Sequence, residues 1–300
     1  MMKYSYITTV KNDDALRESF NELTRKTFCF DFVSWYESGH WGEMYIPHVL
    51  ADGNKVISNV SVNLMQFDVD GVKKNYIQLG TVMTDPEYRG QGLNRYIMEK
   101  ILQEYEGKVD GIYLFGNDSV LDYYPKFGFQ PSKEYEYYLP GDRAENAHPY
   151  QIEKLDMGGH KQQEKLYEVI RSYEASPGEV NQNDGMYMSE NIGLYQFWLD
   201  AEYGDSVYYL PEADAYLIAR VEEKVSHVYQ IFGKKQVQPE RLLCSCGKGI
   251  EEMVLGYTPV HKEKFLVREH KEEDCTLFIL GEDLKRIEEN RMVFPTLSHA

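Results

Sequence analysis

The sequence predicts a mixed α/β fold of the α+β kind, with a mostly antiparallel central sheet flanked by helices, and it predicts that arrangement twice. Three observations lead there. Residues 48–83 hold consecutive strand-like runs separated by Asp-Gly turns, the pattern of antiparallel neighbours. The apolar spacing then changes to that of a helix and returns to a short apolar strand, as in a strand–helix–strand crossover. Finally, the order of runs in residues 150–300 roughly repeats that of residues 1–140, without obvious residue identity between the halves.

In chain order, a strand at Tyr4 to Val10 precedes an amphipathic helix from about Asp13 to Phe28, and an aromatic stretch runs from Phe28 to Leu50. Strand runs follow at His48 to Ala51, Val56 to Val69 and Asn75 to Met83, the first two ending at Asp52-Gly53-Asn54 and Asp70-Gly71. Gly92 to Tyr105 has helical spacing in Leu93, Ile97, Ile101 and Leu102. Gly111 to Phe115 reads as an apolar strand, Ser119 to Phe127 as a helix, and Tyr135 to Leu139 as a strand before a Pro/Gly-containing linker. The expected domains are therefore 1–140 and 150–300. In the second, Gln151 to Leu155 is a strand, Lys161 to Tyr173 a helix, Ser176 to Gly185 a loop and Ser189 to Tyr203 a helix. Strands at Ser206 to Leu210, Asp214 to Val221 and Val225 to Gly233 come next. A helix at Pro239 to Cys246 and strands near Met253 to Tyr257 and Leu277 to Leu280 complete it.

Composition narrows the function classes. Of 300 residues, 42% are hydrophobic and 14% aromatic, enough for a substantial core and too many for disorder. No apolar run approaches the roughly 20 residues of a membrane span, and the N-terminus lacks an apolar signal core, so no membrane association and a cytoplasmic location are expected. Four cysteines show no metal-ligand spacing, which points to reduced thiols and no metal. With 32 basic and 49 acidic residues the net charge is −17. Such a surface repels phosphate backbones and excludes nucleic acid as an expected partner; it favours a cationic small molecule, or serves only solubility. The oligomeric state is not readable.

One stretch carries chemistry: Val82, Met83, Thr84, Asp85, Pro86, Glu87, Tyr88, Arg89, Gly90, Gln91, Gly92, Leu93 and Asn94, between a strand and a helix. Pro86 stops the strand, and two glycines let backbone N–H groups converge where the helix begins. The unpaired N–H groups of the helix start suit a diphosphate. On residue chemistry alone, a purely structural helix-opening turn fits the stretch equally.

The stretch is similar to the cofactor motif of the GNAT superfamily of N-acetyltransferases, V-x-V-x-P-x-Y-R-G-x-G-x-(G/A), through Val82, Pro86, Tyr88, Arg89, Gly90 and Gly92. Thr84 stands in place of an apolar residue, and Asn94 in place of Gly or Ala. A second family motif, an Asn after a strand and then L-Y-x-K-x-G-F, is matched by Asn117, Tyr124, Lys126, Gly128 and Phe129. The resemblance covers about residues 3 to 140. It implies acetyl-CoA as cosubstrate, held between two splayed strands by backbone groups of Val82, Met83 and Thr84. The turn from Arg89 through Gly90, Gln91, Gly92, Leu93 and Asn94, with Arg95 beside it, would take the diphosphate, and Asn117 would lie nearby.

The resemblance places Tyr124 at the general-acid position, where a phenol can protonate a leaving thiolate; a core tyrosine is the alternative. The strand Tyr76 to Thr81 lacks the carboxylate that many relatives use as base. His40 is the best single candidate on pKa grounds, with a solvated loop histidine as its competitor. Asp31, Glu37, Glu43 and His48 lie in the same region, and Trp35, Tyr36, Trp41 and Tyr45 fit a pocket lining or ordinary core. In the second half, Ile231 to Pro239 lacks the glycine turn, so a degenerate repeat that helps close the acceptor pocket is expected. The expected activity is transfer of acetyl from acetyl-CoA to a primary amine of a small cationic molecule. Acetylation of a protein lysine or N-terminus, and a non-catalytic acyl-CoA sensor, are the alternatives.

Overall fold

The computed structural model describes residues 3–175 and 183–300. Most of the loop expected from Ser176 lies outside the described residues.

The N-terminal helix α1 (Asp14–Phe28) starts where Asp13 accepts the Leu16 N–H and ends at Cys29 in the left-handed conformation. A one-turn helix, α2 (Val33–Glu37), lies in the aromatic stretch. Strands β1 (Ser5–Ile7), β2 (Tyr45–Asp52), β3 (Lys55–Val69), β4 (Val72–Thr84) and β5 (Gly111–Gly116) form successive sheet neighbours. The first four pair antiparallel, while β4 and β5 pair parallel across helix α3 (Leu93–Tyr105). Helix α1 covers one face through Leu16, Phe20 and Leu23 against Val49, Val56 and Met83. Helix α3 covers the other through Leu93, Ile97 and Ile101 against Leu50, Ile57 and Leu79. Because both faces are covered, Ser58, Asn59, Ser61 and Asn63 are buried despite the polar alternation of β3.

Two short strands, β6 (Gln130–Ser132) and β7 (Glu134–Pro140), follow. The second half supplies β8 (Glu153–Lys154), α4 (His160–Ala175), β9 (Met186–Ser189), α5 (Ile192–Trp198), β10 (Val207–Leu210), β11 (Ala215–Glu222), β12 (Val225–Gly233), α6 (Pro239–Ser245), β13 (Glu252–Leu255), β14 (Leu266–His270) and β15 (Thr276–Leu280). Among the described residues, the first sheet runs β1-β2-β3-β4-β5-β15-β6 with β9 paired to β3. The second runs β14-β7-β13-β12-β11-β10-β8. Its parallel β12–β13 pair across α6 repeats the β4–β5 crossover, consistent with a duplicated fold.

The expected boundary at 140/150 does not divide the sheets. β7 comes from the first half and pairs with β13 and β14, while β9 and β15 come from the second half and join the first sheet. One apolar cluster accordingly spans both, joining Phe67, Tyr76 and Tyr113 to Leu166, Tyr195 and Phe294. The helix expected at Ser119 to Phe127 is two 3₁₀ turns, Asp118–Val120 and Tyr124–Phe127, with Pro125 denying the α-helical hydrogen bond. The helix expected at Ser189 to Tyr203 begins at Ile192 and widens into a π-turn over Leu199–Tyr203.

The chain from Met292 onward stitches the sheets together. Phe294 stacks on Tyr113 at 4.0 Å and its N–H bonds Glu134 Oε1 at 2.8 Å. Burial pushes the Glu134 carboxyl up to about 7, opposed by that N–H and by His270 and reinforced by Glu272. A carboxyl raised on folding contributes stability below its unfolded value, near 4.5, that is lost as pH rises through about 7. Glu134→Gln keeps an acceptor for the Phe294 N–H and should therefore gain thermal stability relative to wild type between pH 5 and pH 8. Melting curves that shift in parallel over that range would refute the assignment.

Candidate functional site

The parallel pairing of β4 with β5 runs from Tyr76–Gly111 to Leu79–Leu114 and stops there. Beyond it the two strands part around a cavity of about 760 Å³. Gly80 to Thr84 line one wall and Phe115, Gly116 and Asn117 the other; Thr27 and Phe28 of α1 contribute at the rim. Val82, Met83, Thr84, Arg89, Gly90, Gly92, Leu93, Asn94, Arg95, Asn117 and Tyr124 all line it. Gln91 and His40 are not among the lining residues.

The turn after β4 has a geometry that could hold an anion. Asp85 accepts the Glu87 N–H and pairs with Lys26 and Lys55, fixing the exit of the strand. Gly90 and Gly92 take φ of +76° and +72°, a region where a side chain is strained. Gly92 opens α3 without any side-chain cap, so the first helical N–H groups stay available to the cavity. Arg95 lines the same end, while the Arg89 Nε donates to Thr84 O at 3.3 Å. Asn94, larger than the residue the motif calls for, is tied through its Oδ1 to Ser58 Oγ, which also lies 3.0 Å from Thr84 Oγ1. Its side-chain oxygen is thus engaged by β3.

Tyr124 is 4% exposed and sits on Phe278 and Phe129, with ring centroids 5.3 and 6.1 Å away. Burial, and then the neighbouring Tyr123, hold its phenol well above the ordinary tyrosine range, so the proton stays on at neutral pH. Tyr123 stands at the start of the second 3₁₀ turn. In the 3₁₀ geometry it lines the cavity too, its buried hydroxyl without a partner among the described residues.

The base candidates lie outside the cavity. His40 Nδ1 contacts Asp200 at 3.2 Å and its ring packs edge-on to Tyr167, because the loop after α2 turns toward α4 and the π-turn. Asp31 pairs with Arg25 and Glu43 with Lys11. His48 is buried against Tyr6, and burial lowers its pKa to about 4. Trp35, Trp41 and Tyr45 are core, packed at a tilt against Phe32. No Asp, Glu or His side chain is among the lining residues.

Sequence reasoning missed the far end of the chain. Ala300 lines the cavity and its main-chain oxygen accepts from Gln78 Nε2 at 3.2 Å. Trp198 Nε1 holds the preceding carbonyl, His299 O, and Phe115 stacks on the His299 ring at 4.1 Å. A Cβ at Gly80 would lie 2.5 Å from the Ala300 oxygen. Only contact across 220 positions creates this wall. The apolar tail was the available signal, but no local pattern says where a tail docks. Gly80→Ala should displace residues 297–300 and raise protease sensitivity near the C-terminus, measured by limited proteolysis and mass spectrometry. An unchanged cleavage pattern would contradict the docking.

Among the described residues, no helix is long and apolar enough to cross a membrane, and no cluster of His, Cys, Asp or Glu is placed to hold a metal ion.

Comparison with known proteins agrees with this geometry. The family model of the acetyltransferase (GNAT) domain matches residues 14–132, which contain the glycine turn, Tyr124 and the strands around the cavity. A chloroplastic GCN5-related N-acetyltransferase 2 of Arabidopsis thaliana is 37% identical over 54 residues, 18% of this chain and 21% of that protein. The match therefore spans about a fifth of that curated relative's length. Two solved structures share the fold across both halves. A GCN5-related N-acetyltransferase of Anabaena variabilis has a TM-score of 0.58 at 13% identity, over 92% of this chain and 72% of that one. One from Kribbella flavida has a TM-score of 0.56 at 14% identity, over 92% and 70%. Residues 14–132, which hold the parted strands and the site between them, thus match the acetyltransferase (GNAT) domain model.

Proposed function

We propose that the protein transfers an acetyl group from acetyl-CoA to a primary amine. The observation that carries this reading is convergence: the uncapped glycine turn and Tyr124 open onto one cavity, where β4 has lost its parallel partner. The turn from Arg89 to Asn94, with Arg95, takes the diphosphate. Backbone groups of Val82 to Thr84 on the strand edge away from β3 pair with the pantetheine arm, as an incoming strand would. The amine nitrogen attacks the thioester carbon, the C–S bond breaks, and the leaving thiolate takes its proton from the Tyr124 hydroxyl, which is restored by the proton that the new amide nitrogen gives up. The phenol arrives at the reaction protonated. Among the described residues no acidic or imidazole side chain lines the cavity, and the proton of the incoming ammonium passes to water.

The acceptor is a small cationic amine, a reading supported by the net charge of −17 and by a cavity narrowed by the docked C-terminal segment. The same lack of a side-chain base favours one competing reading, a sensor that binds acyl-CoA without turnover. Across the second crossover, Thr296 bonds Gly256 where the gap would open, so one acetyl-CoA per chain is expected.

Calorimetry should give one acetyl-CoA site per wild-type chain, lost in Gly92→Asp, which places a carboxylate in the anion turn. No binding by the wild type would end the acetyltransferase reading. Among binders, thiol release with an amine panel separates enzyme from sensor. In the enzyme, Tyr124→Phe should lower kcat by about 10²-fold or more, with Tyr123→Phe within about tenfold of wild type. The reverse order would hand the proton to Tyr123.

A further inference from the structure

Thr81 is the point where β4 changes course. It is a β-branched residue at φ +48°, a conformation such residues rarely adopt without being held. The register with β3 steps from Ser61–Gly80 to Asn59–Met83, so Thr81 and Val82 together face Val60 in a bulge. This bulge lies two residues beyond Leu79, the last β4 residue paired to β5.

A closed ring of buried hydrogen bonds grips the bulge from two other strands. Asn59 Nδ2 donates to Thr81 O at 2.7 Å and to Ser61 Oγ at 2.9 Å. Ser61 Oγ donates to Tyr45 Oη at 2.8 Å, and Tyr45 Oη lies 2.8 Å from Thr81 Oγ1. The ring thus holds both the main-chain oxygen and the side-chain hydroxyl of the strained residue. Tyr45 is anchored in turn by the aromatic core, with Phe32 at 5.0 Å and Trp35 and Trp41 at 5.5 Å. No part of the ring is needed to fill space, since phenylalanine at 45 or alanine at 61 would pack nearly as well. Withdrawing these polar groups from water has a cost that the ring's hydrogen bonds offset in part, since the Asn59 Oδ1 is buried without a partner among the described residues.

We propose that Tyr45, Asn59 and Ser61 are positioning residues. They lock Thr81 in the left-handed conformation and so fix the backbone of Val82 to Thr84 against the thioester carbonyl of bound acetyl-CoA. The assignment rests on the acetyl-CoA reading above. It makes acyl polarisation depend on a hydroxyl of β2, far from the turn that supplies affinity.

Isotope-edited infrared spectroscopy of acetyl-CoA labelled at the acetyl carbonyl, bound to the full chain, tests this without an acceptor amine. Wild type should displace the carbonyl band from its position in free acetyl-CoA. Tyr45→Phe should lose at least about half of that displacement while the calorimetric Kd stays within about twofold, a split that a merely structural role would not produce. Adding Thr81→Gly to Tyr45→Phe should restore the displacement, because glycine adopts positive φ without being held. Should Tyr45→Phe fold poorly, Ser61→Ala breaks the same ring and is expected to act in the same direction. A band unmoved by wild type, a full displacement in Tyr45→Phe, or no recovery on adding Thr81→Gly overturns the clamp. Absence of acetyl-CoA binding by wild type overturns the cofactor reading itself, which distinguishes the two failures.

Discussion

Beyond Leu79 and Leu114, the backbone groups of β4 and β5 no longer answer one another, and the site follows from that separation. Parallel strands joined through a helix ordinarily stay paired, because each unpaired N–H or C=O withheld from water costs free energy. Here the bulge at Thr81 turns β4 away, and side chains rather than a neighbouring strand satisfy part of what is exposed. The two strands then lead in different directions. β4 runs into the glycine turn and the start of α3, and β5 runs into the 3₁₀ turns that carry Tyr123 and Tyr124. Both leave from the same fork, so the anion turn and the phenol face one cavity although 30 residues separate them.

The second crossover shows what happens when the fork is filled. β12 and β13 pair in parallel as far as Val228 and Leu255, and the chain then turns at Gly256. Thr296 bonds the Gly256 carbonyl and lies so close that a methyl group on Gly256 would collide with it. The same C-terminal segment continues to Ala300, beside Gly80 in the first fork. One strap therefore closes the second gap and borders the first. Strand exchange makes this possible: β7 and β15 each sit beside the crossover of the other half, bringing the two forks within reach of one short segment. The shared apolar cluster around Phe67, Tyr113 and Phe294 packs residues of the two halves together.

The sequence by itself determined the local parts of this protein. Asp-Gly turns, alternation and helical spacing placed α1, β3, β4, α3 and β5 to within a few residues, because backbone geometry imposes those periods locally. The two motifs located the turn and Tyr124 because their glycines and spacing encode a backbone path. Tertiary structure decided everything that required distant chain segments to meet. His40 was chosen for its pKa, which says nothing of direction, and its loop carries it to Asp200. Alternation along β3 cannot show that a second layer covers the outer face, and so cannot show that Asn59 and Ser61 are buried in the ring around Thr81. The sheet partners of β7 and β15, and the arrival of Ala300 at Gly80, depend on packing free energy summed over both halves, and no local window of residues contains that sum.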